Sequence, residues 1–321
     1  MIFMQSTEII TNQEINNIFT KKLNKKPKKI SKVEIGFSTD VYNIDNKYIL
    51  RINKLGKISD NCFKKAYFLY DFFKDKIPCP EVLVFDDSYK IIPYTYGIYK
   101  MIKGNNLTDV WYTYTDKEKE QIIKQICDKL LIPLYKTKYS QKFKIFKEAR
   151  YSLNPNVDWH DTVYNEIIFN LLDLKEKKLL DNKKIKKIET FISKYHPLFK
   201  EAKIFLTFWD LHFNNVIVKN KKVVGFIDFD AIVYASLDNP LAVVKRMMIQ
   251  PKAYVSKEFS KNIYSKDYNN LLIWYKKYFP EMFDFKDLDK RLDFYLLSSY
   301  LKHYEVFAKS QDLDKRIEEI I

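Results

Sequence analysis

The hydrophobic pattern of this chain changes period once, at Gly104, and that change limits the folds open to it. From Ser31 to Lys54, β-branched and aromatic residues alternate with polar ones. The run is broken at Gly36-Phe37-Ser38 and at Asp45-Asn46-Lys47, the pattern of three short antiparallel strands joined by tight turns. Phe63, Ala66, Tyr67, Tyr70 and Phe73 then recur at helical spacing until Ile77-Pro78-Cys79-Pro80 stops the run. Two more strand-like runs, 81–87 and 89–102, complete an expected five-stranded antiparallel sheet with one long helix.

Beyond Gly104 the spacing is that of long amphipathic helices. Thr115 and Glu118 form a capping box, each side chain able to satisfy the other residue's orphan amide. Helical patterns follow over 158–174, 184–195, 239–249, 266–278 and 286–308. The expected fold is therefore α+β and bilobal, with a small antiparallel sheet lobe over residues 1–102 and a larger, mainly helical lobe over 103–321. In the second part only one strand pair reads clearly, Asn215–Lys219 and Val223–Asp228, linked by Asn220-Lys221-Lys222.

With 46% hydrophobic residues, 321 residues can bury a substantial core. The net charge of +15 would suit a polyanion binder, but the lysines are scattered among apolar residues at helical spacing and read as solvated helix faces. No nucleic-acid recognition motif accompanies them, so neither nucleic acid nor membrane is an expected partner. Cys62, Cys79 and Cys127 form no CxxC pair, which speaks against a disulfide framework or a zinc site. No stretch reaches the roughly 18 apolar residues of a membrane span, and the N-terminus lacks a signal-peptide pattern. A cytoplasmic protein is the expectation.

The chemistry concentrates in "FLTFWDLHFNNVIVKNKKVVGFIDFD", residues 205–230. Asp210 lies just before the first strand, Asn215 starts it, and Asp228 ends the second. The outer ends of a hairpin are close in space, so two carboxylates and an amide oxygen would make a hard-oxygen site suited to Mg²⁺ and phosphate. No Walker A motif is present, which excludes a P-loop kinase.

Asp210-Leu211-His212-Phe213-Asn214-Asn215 followed by Ile227-Asp228-Phe229-Asp230 resembles the signature of the aminoglycoside phosphotransferase and choline kinase-like family, which has a protein-kinase-like fold. The resemblance spans nearly the whole chain. It implies that a nucleoside triphosphate, ATP or GTP, phosphorylates a hydroxyl of a small, aminoglycoside-like acceptor with the help of Mg²⁺. By position, Asp210 would orient and deprotonate the acceptor hydroxyl, and Asn215 and Asp228 would hold Mg²⁺. Arg51 would take the place of the basic phosphate contact, while Gly36 and Ser38 would bring backbone amides to the nucleotide. Tyr99-Lys100-Met101-Ile102 fits the connector between lobes, with Lys100 and Ile102 meeting the base.

Four positions depart from the family pattern. Phe208-Trp209 stands where relatives have His-Gly, Lys65 where the helix would offer a Glu to the basic strand residue, and Asp230 adds a carboxylate. Asp60 is one acid that could substitute for the missing Glu. Asp230, Asp158 and Glu305 are the candidate contacts of a cationic acceptor. Two other readings stand beside the kinase: a catalytically weak nucleotide-binding protein of the same fold, motivated by Lys65 and Phe208, and a basic nucleic-acid-binding protein.

Overall fold

A computed structural model describes residues 10–33, 39–56, 60–146, 152–255, 260–307 and 311–321, with the backbone alone at 306, 307 and 311. The main elements in chain order are α1 (Asn12–Leu23), β1 (Ile30–Val33), β2 (Thr39–Ile44), β3 (Tyr48–Asn53), α2 (Asp60–Phe73), β4 (Val82–Asp86) and β5 (Tyr96–Lys100). They continue with α3 (Asp116–Ile126), α4 (Trp159–Glu176), α5 (Asn182–Tyr195), β6 (Ile204–Phe208), β7 (Val216–Lys219), β8 (Lys222–Phe226) and β9 (Ile232–Ser236). The chain ends with α6 (Asn239–Ile249), α7 (Leu271–Tyr278), α8 (Leu288–Phe307) and α9 (Gln311–Ile320). None of the described helices is long and apolar enough to cross a membrane.

The contacts divide the chain into two compact units. The first is Met1–Asn105 with Glu148–Tyr151 and Val216–Ala231; the second is Asn106–Lys147, Ser152–Asn215 and Ile232–Ile321.

In the first unit the five expected strands form one antiparallel sheet in the order β1-β2-β3-β5-β4. Tyr42, Ile44, Leu50, Ile52, Tyr96 and Ile98 point to one side and are buried, as strand alternation requires. The helix α1 covers that side with Ile15, Ile18 and Phe19, and a capping box of Thr11 and Glu14 starts it. This helix precedes the sheet and was not among the sequence-derived elements, because its apolar positions are few among polar ones. The hairpin β7–β8 belongs to the same unit. Its turn residues, Asn220 and Lys221, both have positive φ, the type I′ geometry that matches strand twist. At Gly225 a Cβ would come within 2.3 Å of Ile102, so glycine lets the hairpin close on that side chain.

The second unit is helical, with one ribbon. β6 and β9 pair antiparallel, Phe208 opposite Ile232, a strand pair that periodicity missed because Ile232–Ser236 is buried throughout and shows no alternation. Trp111 is fully buried, packed against Phe213 and Tyr268, and its Nε1 donates to the Asp267 carbonyl at 2.8 Å. Asp238 stands at the N-cap position of α6 and makes no side-chain capping bond. Its buried carboxylate instead meets Arg291 through two nitrogens, at 2.5 and 3.0 Å.

Candidate active site

In the second unit, β6 delivers the chain into a tight turn. The Asp210 carbonyl accepts from His212 N at 2.8 Å and from Asn215 Nδ2 at 2.9 Å, and Asn215 N donates to His212 O at 3.1 Å. Asn215 is buried, and with Nδ2 committed it offers its amide oxygen as the remaining ligand atom. The Asp210 carboxylate is partly exposed and lies 3.2 Å from His212 Nε2. Phe208 is buried within the β6–β9 pairing, so an apolar residue anchors the approach to the turn at the position where the family resemblance leads us to expect histidine. The turn therefore presents one carboxylate and one amide oxygen from residues five apart.

In the first unit, β8 leads to Asp228, whose φ of 68° lies in the left-handed region that aspartate tolerates better than most residues. The helix α2 secures this bend. Tyr70 Oη accepts from Asp228 N at 2.8 Å, and the Phe229 ring stacks on Tyr70 and meets Phe73 edge-on. Lys65, buried on the same helix, donates from Nζ to the Asp230 carbonyl at 2.6 Å. Burial lowers the Lys65 pKa, and the nearby Asp230 charge only partly restores it. For Asp230, burial and then the neighbouring Asp228 charge raise the pKa, with Arg51 and Lys65 opposing.

Arg51 sits on β3 and reaches Asp228 Oδ1 with Nη2 at 2.9 Å. Its acidic partner is thus the bend itself. Asp60, the acid that could have substituted for the missing Glu, is taken by Asn53 Nδ2 at 2.8 Å and by the Tyr89 hydroxyl. Two neighbouring carboxyls, Asp230 with its pKa raised and its buried Oδ1 without a hydrogen-bond partner among the described residues, fit a divalent cation, because added positive charge would relieve both strains.

The remaining expected residues are placed as follows. Gly36 and Ser38 lie outside the described residues. Lys100 pairs with Glu81 at 3.2 Å and gives its amide to the Glu81 carbonyl, and the Met101 amide donates to Lys47 O. Ile102 packs on Gly225. Asp158 caps α4 by accepting from Asp161 N, and Glu305 is bound to Lys177 at 2.6 Å. Tyr70 and Arg246 were not among the expected residues; nothing in their spacing marks them, since both follow an ordinary helical pattern.

A sequence profile of the phosphotransferase enzyme family matches residues 29–244, two thirds of the chain. The chain belongs to this family. It is a phosphotransferase that acts on hydroxyl groups. Among solved structures, the phosphotransferase resembles the ADP-bound aminoglycoside phosphotransferase APH(2'')-Ib at 20% identity, covering 97% of both chains with a TM-score of 0.64. It also resembles APH(2'')-IIa in a streptomycin–ATP ternary complex, at 18% identity over 99% and 97% of the two chains, TM-score 0.63. A GDP and kanamycin complex of a third APH(2'') enzyme aligns at 12% identity over 95% and 96%, TM-score 0.68. These likenesses establish the shared bilobal kinase-like fold. No curated protein matches the phosphotransferase.

Proposed function

We propose that this phosphotransferase is a small-molecule kinase that moves the γ-phosphate of ATP or GTP to an acceptor hydroxyl. Nucleotide binding falls to residues 1–102 and catalysis and acceptor binding to 103–321, with the hairpin before Asp228 packed in the first compact unit. The observation that carries this reading is the Asp210–Asn215 turn, which locks a carboxylate and an amide oxygen in fixed relation through the Asn215-to-Asp210 hydrogen bond.

Asp210 accepts the acceptor's proton as its oxygen bonds to the γ-phosphorus. The bond to the β,γ-bridging oxygen breaks, and nucleoside diphosphate leaves with the electron pair. His212, at 3.2 Å, restrains the carboxylate's orientation, and the bonds from His212 N and Asn215 Nδ2 to the Asp210 carbonyl hold the turn rigid. Arg51 supplies a fixed positive charge for phosphate oxygens, its guanidinium kept beside Asp228. Asn215 in the second unit, and Asp228 and Asp230 in the first, each offer oxygen ligands of the kind Mg²⁺ takes, and the ion would neutralise phosphate charge when bound.

Streptomycin, gentamicin and kanamycin occur in complexes of structural neighbours. For this chain, two of the three acids expected to receive a polycation, Asp158 and Glu305, are engaged in a cap and an ion pair. The acceptor of this kinase is therefore proposed only as a small molecule with a free hydroxyl.

Asp210→Asn tests it. Acceptor-dependent formation of nucleoside diphosphate should fall by about 10²–10⁴-fold, the usual worth of a positioned general base. Nucleotide affinity, followed by equilibrium titration, should stay within about threefold. Unchanged turnover in the variant would refute the assignment.

A further inference from the structure

Near Asp210 the helical unit keeps a guanidinium that no described carboxylate balances. Arg246 lies in the last turn of α6 and is half-buried. Among the described residues, Arg51, Arg291 and Arg316 pair with Asp228, Asp238 and Asp312 respectively. Arg246 makes no ion pair among the described residues: Nη1 donates to Ser299 Oγ at 3.2 Å, and its guanidinium carbon stands 5.7 Å from the ring centroids of both Tyr254 and Tyr300. Its Nε is buried and makes no hydrogen bond among the described residues. His303, whose Nδ1 donates to the Ser299 carbonyl at 2.7 Å, is kept toward its neutral form by burial.

Tyr254 links this cation to the catalytic turn. Its carbonyl accepts from Asn214 Nδ2 at 2.8 Å, and its ring centroid lies 5.4 Å from that of His212, the partner of Asp210. Side-chain contacts thus run from Asp210 through His212 and Tyr254 to Arg246. The acids of the surrounding helices are already compensated: Glu166 by Lys302, Asp293 by Lys245, Glu305 by Lys177 and Asp312 by Arg316.

We propose that Arg246 reads the acceptor, and that the acceptor carries an anionic group, a carboxylate or a phosphate ester, besides the hydroxyl it presents to Asp210. The inference rests on the kinase reading above. A partly desolvated cation with no ion-pair partner among the described residues favours an anion, and the planar guanidinium fork matches the oxygens of carboxylate and phosphate. A polycationic acceptor would instead meet like charge at this position.

The test measures nucleoside diphosphate formation by the full chain with a neutral polyol, the corresponding sugar acid, the corresponding sugar phosphate, and kanamycin. The sugar acid or the sugar phosphate should stimulate turnover above the polyol, and kanamycin should not; which of the two wins identifies the anion. Arg246→Gln should raise KM for that anionic acceptor roughly ten- to a hundredfold, the worth of one charge-assisted hydrogen bond, while KM for nucleotide stays put. Arg246→Lys should recover part of the loss. Stimulation by kanamycin, stimulation by neither anionic compound, or an anionic-acceptor KM indifferent to Arg246→Gln each overturns the proposal. Should the wild-type chain turn nucleotide over at a rate that Asp210→Asn does not change, the kinase reading fails first and this inference falls with it.

Discussion

At the scale of single residues, the least ordinary side chain is Lys65. A lysine is seldom fully buried, and this one is, with its ammonium on the Asp230 carbonyl. Alignment to the family pattern set it where a glutamate would pair with the basic strand residue. The structure resolves the conflict, since Arg51 finds its carboxylate at Asp228 and Lys65 holds the same bend two residues further on. Lys65→Met keeps the volume but orphans a buried carbonyl, which should cost about 1–3 kcal/mol in urea denaturation and raise the Mg²⁺ concentration needed for half-maximal turnover. Lys65→Glu restores the family's residue type yet should be worse than Lys65→Met, because it sets a third carboxylate beside Asp228 and Asp230. A Lys65→Glu variant that outperforms Lys65→Met would show that the lysine has no holding role.

At the scale of elements, α1 shows how a helix with a weak sequence signal becomes fixed by one buried polar knot. Lys22 in its last turn binds Asp86 at the end of β4, and Asp86 also accepts from Ser88 N and Oγ and from Tyr96 Oη at 3.0 Å. Burial by itself would raise this carboxyl's pKa, but Lys22, Ser88 and Tyr96 outweigh it and hold the group well below the usual carboxylate value of about 3.9. A folded-state pKa below the unfolded one gives stability that is full above the unfolded pKa and lost as pH falls through the folded one. Asp86→Asn should therefore melt at a clearly lower temperature than wild type at pH 7, with the gap closing as pH drops below about 4. Thermal melts at several pH values decide it; a gap independent of pH would mean that the charge contributes nothing.

The same contrast explains what could be read in advance. The sheet was legible, because half-buried strands alternate and their turns carry Asn and Asp with positive φ at Asp45, Asn46 and Asn220. Asp210, Asn215 and Asp228 were legible as a constellation, because chemistry requires those residue types at those separations. β9 was not, since a strand buried on both faces loses its alternation. Tyr70 and Arg246 were not either. Each acts through a partner more than a hundred residues away in the case of Tyr70 and 53 away for Arg246, and only tertiary structure brings those partners in.

At the scale of the whole molecule, the helical unit is organised around a buried charge pair at the start of α6. Arg291 on α8 grips Asp238 through Nε and Nη2, and its Nη1 donates to the Leu198 carbonyl after α5. Ser236 at the end of β9 and Tyr295 complete the shell of Asp238, and Trp159 at the start of α4 donates to the Tyr295 hydroxyl at 2.9 Å. One ion pair thus ties α4, the segment after α5, β9, α6 and α8. Replacing a buried pair by apolar groups can be nearly neutral, whereas removing one partner strands the other charge. Arg291→Met should accordingly cost about 3–5 kcal/mol, and Arg291→Met combined with Asp238→Asn should cost less than the sum of the two single variants. Urea denaturation of the four proteins measures the coupling. Additive losses would mean that Asp238 and Arg291 are held by their surroundings independently, and that the unit is assembled by its apolar core alone.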